Sequence, residues 1–180
     1  MTHSLHHAGC GCLALLSRRR AFGLGLAAAA TAATLSAPAR ALDKGYEAML
    51  LKCIDPRFTT NTWAYMSSRG WQNLYSQFNI AGGPIGVVAP VFADWHKTFW
   101  DNLKISYDLH EVKRVVALTH RDCGAAVVAY GDRMKTDRDF ETKTMAGALH
   151  QFRDELAKRF PDLKAELGIM DLNGAVEVVA

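Results

Sequence analysis

The first forty-one residues contain no aspartate or glutamate, and nowhere does the chain run for eighteen or more strongly apolar residues. The missing apolar run argues against a membrane-spanning helix. The missing acids change the reading of the charge. The chain has 180 residues with 21 Lys+Arg and 18 Asp+Glu. Four of the arginines, Arg18, Arg19, Arg20 and Arg40, fall in the acid-free stretch. Residues 42–180 carry seventeen basic and eighteen acidic side chains. The basic balance therefore belongs to residues 1–41 and gives no support to nucleic-acid binding, which needs a basic domain face. Cysteine is scarce, at four, and proline scarcer than glycine, at 5 against 14. These counts exclude disulfide-dense and collagen-like classes. The chain is 49% apolar, enough for one domain with a real core.

Residues 1–41 read as a targeting segment. Ser17 and Arg18 precede Arg19-Arg20-Ala21-Phe22, a mildly apolar Ala/Gly stretch runs from Phe22 to Leu35, and Ala39-Arg40-Ala41 offers a small-x-small cleavage site. This order resembles a twin-arginine signal peptide. It implies cleavage after Ala41, export of the folded chain and a periplasmic location for residues 42–180. His3, His6, His7, Cys10 and Cys12 look like a metal tract, but they precede the arginine pair and would leave with the leader. Only Cys53 and Cys123 then remain. In an oxidising compartment two cysteines can form one disulfide. A chain exported already folded can instead keep them as metal ligands.

Within 42–180, a nearly continuous apolar run at Ala48–Ile54, broken by Lys52, predicts a buried strand. A short helix is expected around Thr62–Ser68, and alternation predicts a strand at Leu74–Ile80. Ala81-Gly82-Gly83-Pro84-Ile85-Gly86 reads as a tight loop. Apolar residues at Phe92, Trp95, Phe99, Leu103 and Tyr107 make one helical face, expected in the core or at a subunit interface. A buried strand is expected over Val112–Thr119, a helix from Gly124, a charged loop over Gly131–Asp139 and a helix over Glu141–Phe160. Asn173-Gly174 between two short apolar runs is a hairpin signal. The pattern predicts an α/β fold: a mostly parallel β-sheet flanked by helices, with a closing β-hairpin near the C-terminus.

Two motifs fall at the C-terminal ends of predicted parallel strands, the edge where open α/β sheets bind ligands. One is Cys53-x-Asp55-x-Arg57, where an extended chain points all three side chains to one side. The other is His120-x-x-Cys123 at a strand-to-helix junction, where a helix N-terminus favours the Cys123 thiolate. Two thiolates and one imidazole are a three-donor zinc set of the catalytic kind. Beside them, Arg57 can hold Asp55 ionised.

These motifs resemble those of the β-class carbonic anhydrase family, which has Cys-x-Asp-x-Arg after one strand and His-x-x-Cys-Gly after another. Ala81-Gly82-Gly83 is similar to that family's loop between the motifs, and Val112–His120 to its strand leading into the histidine. The likeness covers roughly residues 47–130. Many members place a glutamine shortly before the first cysteine; here the nearest glutamine, Gln72, lies after it. The resemblance implies a β-carbonic anhydrase-like fold with Zn²⁺ on Cys53, His120 and Cys123. It implies reversible hydration of CO2 to bicarbonate by zinc-bound hydroxide, with Asp55 and Arg57 as the catalytic pair. It also implies a homodimer or higher homo-oligomer. Two other functions share these motifs: a hydrolase of carbonyl sulfide or carbon disulfide, and a non-catalytic zinc-binding interaction protein.

Overall fold

A computed structural model describes residues 45–180, which belong to a unit running from Leu42 to Ala180. The expected leader, its arginine pair and the His/Cys tract lie outside the described residues. The described elements are β1 (Ala48–Lys52), α1 (Thr59–Ser68), β2 (Tyr75–Asn79), α2 (Pro84–Val88), α3 (Ala93–His110), β3 (Arg114–His120), α4 (Gly124–Tyr130), α5 (Arg133–Thr136), α6 (Arg138–Arg159), β4 (Lys164–Met170) and β5 (Val176–Val179). The five strands form one sheet in the order β2-β1-β3-β4-β5. β1 pairs parallel with β2 and β3, and β3 with β4; only β5, hairpinned onto β4, is antiparallel. The expected α/β fold is the observed one.

Every residue of β1 is buried, because helices cover both faces of the sheet. Met49 and Leu51 face the larger cluster, with Ile85 of α2, Phe99 and Leu103 of α3, and Phe152 of α6. Ala48 and Leu50 face the smaller one, with Phe58 and with Met66 of α1. The period-2 alternation of a strand thus splits one apolar run between two cores. No described helix is long and apolar enough to cross a membrane.

The structure corrects four local expectations. β1 stops at Lys52 rather than Ile54; the amide of Ile80 donates to the Lys52 carbonyl at 3.1 Å, and beyond it Ile54 turns out to 60% exposure. The loop expected over Gly131–Asp139 contains α5 and the start of α6. Asp137 caps α6 by accepting the Phe140 amide at 2.9 Å, which lets the helix begin at Arg138. The loop after Ala81 becomes α2, with Pro84 in its first turn. The aromatic face of α3 is only partly core: Phe99 and Leu103 are fully buried, whereas Trp95 stacks on Phe92 and stays 39% exposed.

Candidate metal centre

Cys53 is the first residue past β1, His120 the last of β3, and Cys123 the residue before α4. Adjacent parallel strands end side by side, so the two motifs meet at the C-terminal edge of the sheet. Gly82 and Gly83 pack against this edge with φ of +78° and +56°. A Cβ on Gly83 would lie 2.9 Å from the Leu118 carbonyl oxygen, so only glycine lets the loop sit this close. The loop in turn aims the Gly82 amide at the Cys53 Sγ, 3.2 Å away.

The donor atoms of Cys53, His120 and Cys123 all lie within 4.8 Å of one another, and all three residues are buried. His120 is fixed in one tautomer. Its Nδ1 lies 2.9 Å from the Arg121 carbonyl oxygen, which can only accept, so Nδ1 carries the proton. Nε2 is left with a lone pair, is buried, and has no hydrogen-bond partner. A protein rarely leaves such an atom orphaned. The Phe58 ring, 4.2 Å from the imidazole, holds the plane. An imidazole oriented through one nitrogen and free at the other is the usual form of a histidine metal ligand.

The two sulfurs share one proton. The Cys53 thiol is lowered, first by the hydrogen bond from Cys123 and then, against burial, by the backbone amides of Asp55 and Gly82. Cys123 moves up, because of its bond to Cys53 and because it is buried, although the Ala125 and Ala126 amides pull the other way. The amides at the start of α4 favour the Cys123 thiolate, as the sequence predicts, but Cys53 and burial outweigh them. A cation between the sulfurs would displace that proton. A tetrahedral zinc site needs donors about 3.5–3.8 Å apart. Two convergent sulfurs and an orphaned imidazole nitrogen fit that group.

Asp55 and Arg57 are together, but not on an extended chain. Pro56–Phe58 forms a single 3-10 turn that Asp55 caps by accepting the Arg57 amide at 2.9 Å. The turn folds the guanidinium back onto the carboxylate, with Nη2 2.7 Å from Oδ2 and Nε 3.1 Å from both oxygens. Arg57 holds the Asp55 carboxyl at about 2, its hydrogen bonds outweighing burial. The Asp55 carboxylate is not part of the convergent donor group; Arg57 occupies both its oxygens.

No family model matches the chain. Over 131 residues it is 30% identical to "Uncharacterized protein RC0076" of Rickettsia conorii, a match spanning 73% of this chain and 70% of the other. The chain belongs to the family of that rickettsial protein. An uncharacterized protein of Rickettsia bellii is 28% identical over the same length, with 80% of it covered. Among solved structures, the carbonic anhydrase of Streptococcus mutans superposes with a TM-score of 0.53 at 18% identity, covering 88% of this chain and 97% of that one. The β-carbonic anhydrase CafA of Aspergillus fumigatus gives 0.53 at 14% identity, covering 88% and 90%. At these identities the likeness is one of fold, and the fold is that of the β-carbonic anhydrases.

Sequence reading missed the residues that hold the His120–Cys123 loop from beneath. Asp122 adopts a left-handed conformation, φ +57°, and so turns the chain between His120 and Cys123. Its amide donates to Glu141 Oε1 at 2.9 Å, and its carboxylate accepts from Arg57 Nη1 at 2.8 Å. Glu141 and Arg121 are each 4% exposed and pair at 3.2 Å. Arg121 also donates to Thr142 at 2.7 Å and Glu177 at 2.8 Å. The available signal was Glu141 itself: it sits four residues before Met145, on the stripe that α6 buries.

Proposed function

We propose that the chain is a zinc-dependent hydratase that interconverts CO2 and bicarbonate. The single observation that carries this reading is the buried, partnerless His120 Nε2 facing two sulfurs. Beside it stands a carboxylate kept out of the donor group by an arginine. A structural zinc site has no use for that second feature.

Cys53, His120 and Cys123 would hold the ion. When bound, zinc supplies a Lewis acid that brings the pKa of water towards about 7. The rest is done by the chain. Asp55, ionised throughout the neutral range, accepts a hydrogen bond from the attacking water and orients it. Arg57 keeps Asp55 from becoming a fourth ligand and ties the two motif loops together through Asp122. The Arg121 carbonyl orients the His120 ring by accepting from Nδ1, which leaves Nε2 as the donor atom.

The test is metal content together with CO2 hydration rate on the purified chain. One zinc per chain with a rate above the uncatalysed one is expected. Full zinc with no hydration between about pH 7 and pH 9 would decide for a binding module, and turnover of carbonyl sulfide or carbon disulfide instead would redirect the substrate.

We also infer a homo-oligomer. An open groove of about 350 Å3 lined by Ile54, Ile80 and Trp95 begins one residue past Cys53, and Ile54 is itself 60% exposed. Such an apolar patch beside a site is typical of a surface that a second copy covers. A monomer by light scattering, with full activity, would refute this. Export through the twin-arginine route is our reading of residues 1–41; mature protein outside the cytoplasm after Arg19 and Arg20 are both changed to lysine would refute it.

A further inference from the structure

One face of α3 is left uncovered. Its buried side carries Phe99, Trp100, Leu103 and Ser106. Beside that side runs a second row, Trp95, Thr98, Asn102, Ile105 and Leu109, spaced 3, 4, 3 and 4 residues apart. This is the a/d spacing with which one helix meets another. All five residues are exposed, and the three large apolar ones, Trp95, Ile105 and Leu109, by 39%, 55% and 47%. A continuous apolar row in water marks a surface built for a partner. The row runs into the open groove lined by Ile54, Ile80, Trp95 and Thr98, and Ile54 directly follows Cys53.

The chemistry of the row is the same read in either direction: apolar Trp95 and Ile105 flank polar Thr98 and Asn102. A two-fold contact requires this, because residue i of one copy meets residue j of the other while j meets i. Laid antiparallel, a positions meet d positions, so Trp95 faces the partner's Ile105 and Thr98 faces the partner's Asn102. Asn102 already donates to the Thr98 carbonyl of its own helix at 2.8 Å. Its own amide oxygen is left to accept from the partner's Thr98 hydroxyl. A polar pair inside such a seam fixes the register. The rim beside the row holds Asp94, Asp101 and Asp108, which unpaired would repel a second copy. Lys97 pairs with Asp101 at 2.5 Å and Lys104 with Asp108 at 2.6 Å, so most of that charge is neutralised.

We propose that two copies of this chain pair through α3, antiparallel about a two-fold axis near residue 100, and that the partner's Ile105 closes the groove beside the metal centre. The proposal rests on the homo-oligomer reading and deepens it: it names the surface and makes the second copy supply a wall next to Cys53. Trp95, stacked on Phe92 with ring centroids 4.5 Å apart, is the rigid aromatic anchor that the partner's Ile105 covers.

The full chain is examined by sedimentation as wild type and as Ile105→Asp, a position exposed in the single copy, where the fold does not depend on the isoleucine. Expected is a wild-type dimer, with dimer affinity weaker by about 30-fold or more in the variant, because a charge is forced into an apolar layer of the contact. The geometry is read from spin labels placed one at a time at Asp94→Cys, Asp101→Cys and Asp108→Cys, with Cys10 and Cys12 changed to serine. A helix rises about 1.5 Å per residue, so an antiparallel pair centred near residue 100 brings the two labels closest at 101 and separates them by about 10 Å more at 94 and at 108. A dimer with equal distances at the three positions, or one that ignores Ile105→Asp, overturns this pairing and leaves the homo-oligomer reading standing. A wild-type monomer at micromolar concentration removes both.

Discussion

The loop after β1 is held by an ion pair that faces solvent, whereas the loop after β3 is held by one sealed beneath it. The Arg57 side chain is 47% exposed and that of Asp55 17%; those of Arg121 and Glu141 are 5% and 6% exposed. Both pairs stand beside the same donor cluster, yet they suit different tasks. The outer pair is open to solvent, as a part in the proposed chemistry requires. The inner pair holds Asp122 in its left-handed turn and so fixes where His120 and Cys123 point. On the proposed function one loop would carry reactivity and the other geometry, and substitutions should separate the two.

The largest effect is expected from removing a donor on the inner loop. Cys123→Ser should lower zinc affinity by more than about 100-fold, since even groups behind a ligand are worth 10–100-fold. Metal analysis after dialysis checks this. A Cys53–Cys123 disulfide in carefully purified protein would show that the pair serves another end. Next comes the outer loop. Asp55→Ala should keep zinc and lose hydration rate by about 10²–10⁴-fold, the range for a proton-handling or orienting group. Arg57→Ala should lose rate as well, because an unpaired Asp55 is free to join the donors. The double variant should be little worse than either single one, since the pair acts as a unit. Additive losses in stopped-flow rates would mean two independent roles.

Glu141→Ala tests the inner pair without touching a donor. It strands the buried Arg121 and frees the Asp122 amide. Breaking a buried pair costs about 3–5 kcal/mol, here nearer the lower figure because Thr142 and Glu177 still hold Arg121. Denaturant unfolding should show the loss, with zinc affinity falling about tenfold and the rate per bound zinc little changed. A rate that collapses while zinc and stability hold would move Glu141 into the chemistry.

Much of this division was legible in the sequence, and the reason is local. Cys53, Asp55, Arg57, His120 and Cys123 lie within a few residues of strand ends, and strand ends are marked by apolar runs that stop. The paired strands, the long helices and the hairpin at Asn173-Gly174 arise from periodicity and turn chemistry for the same reason. The inner pair joins residues twenty positions apart across two elements, and no local pattern announces such a pairing. Lys52 read as a mere interruption of an apolar run; that it is buried appears only once α1 and β3 are packed around it. The fold of Arg57 back onto Asp55 depended on Pro56 and a capped turn, which the alternating spacing of the motif concealed.

The smallest effect concerns acid. The Asp55 carboxyl sits at about 2 in the folded chain against an ordinary 3.8, chiefly because Arg57 hydrogen-bonds its charged form. A carboxyl whose folded value is depressed favours folding wherever it is ionised in both states. That contribution is complete above about pH 5 and is lost as the pH falls through 4 towards 2, where the unfolded chain takes up the proton first. Asp55→Asn cannot titrate and lacks this slope. The stability difference between wild type and Asp55→Asn should therefore be flat from pH 7 to about pH 5 and shrink below it. The Glu141→Ala background sharpens the comparison, since weakening the inner loop should leave this slope in place if the outer pair is independent of it. Chemical unfolding at half-unit pH steps would show it. A difference that stays constant down to pH 2.5 would mean that Arg57 does not hold Asp55 in solution, and the outer loop would then lose the feature that sets it apart from the inner one.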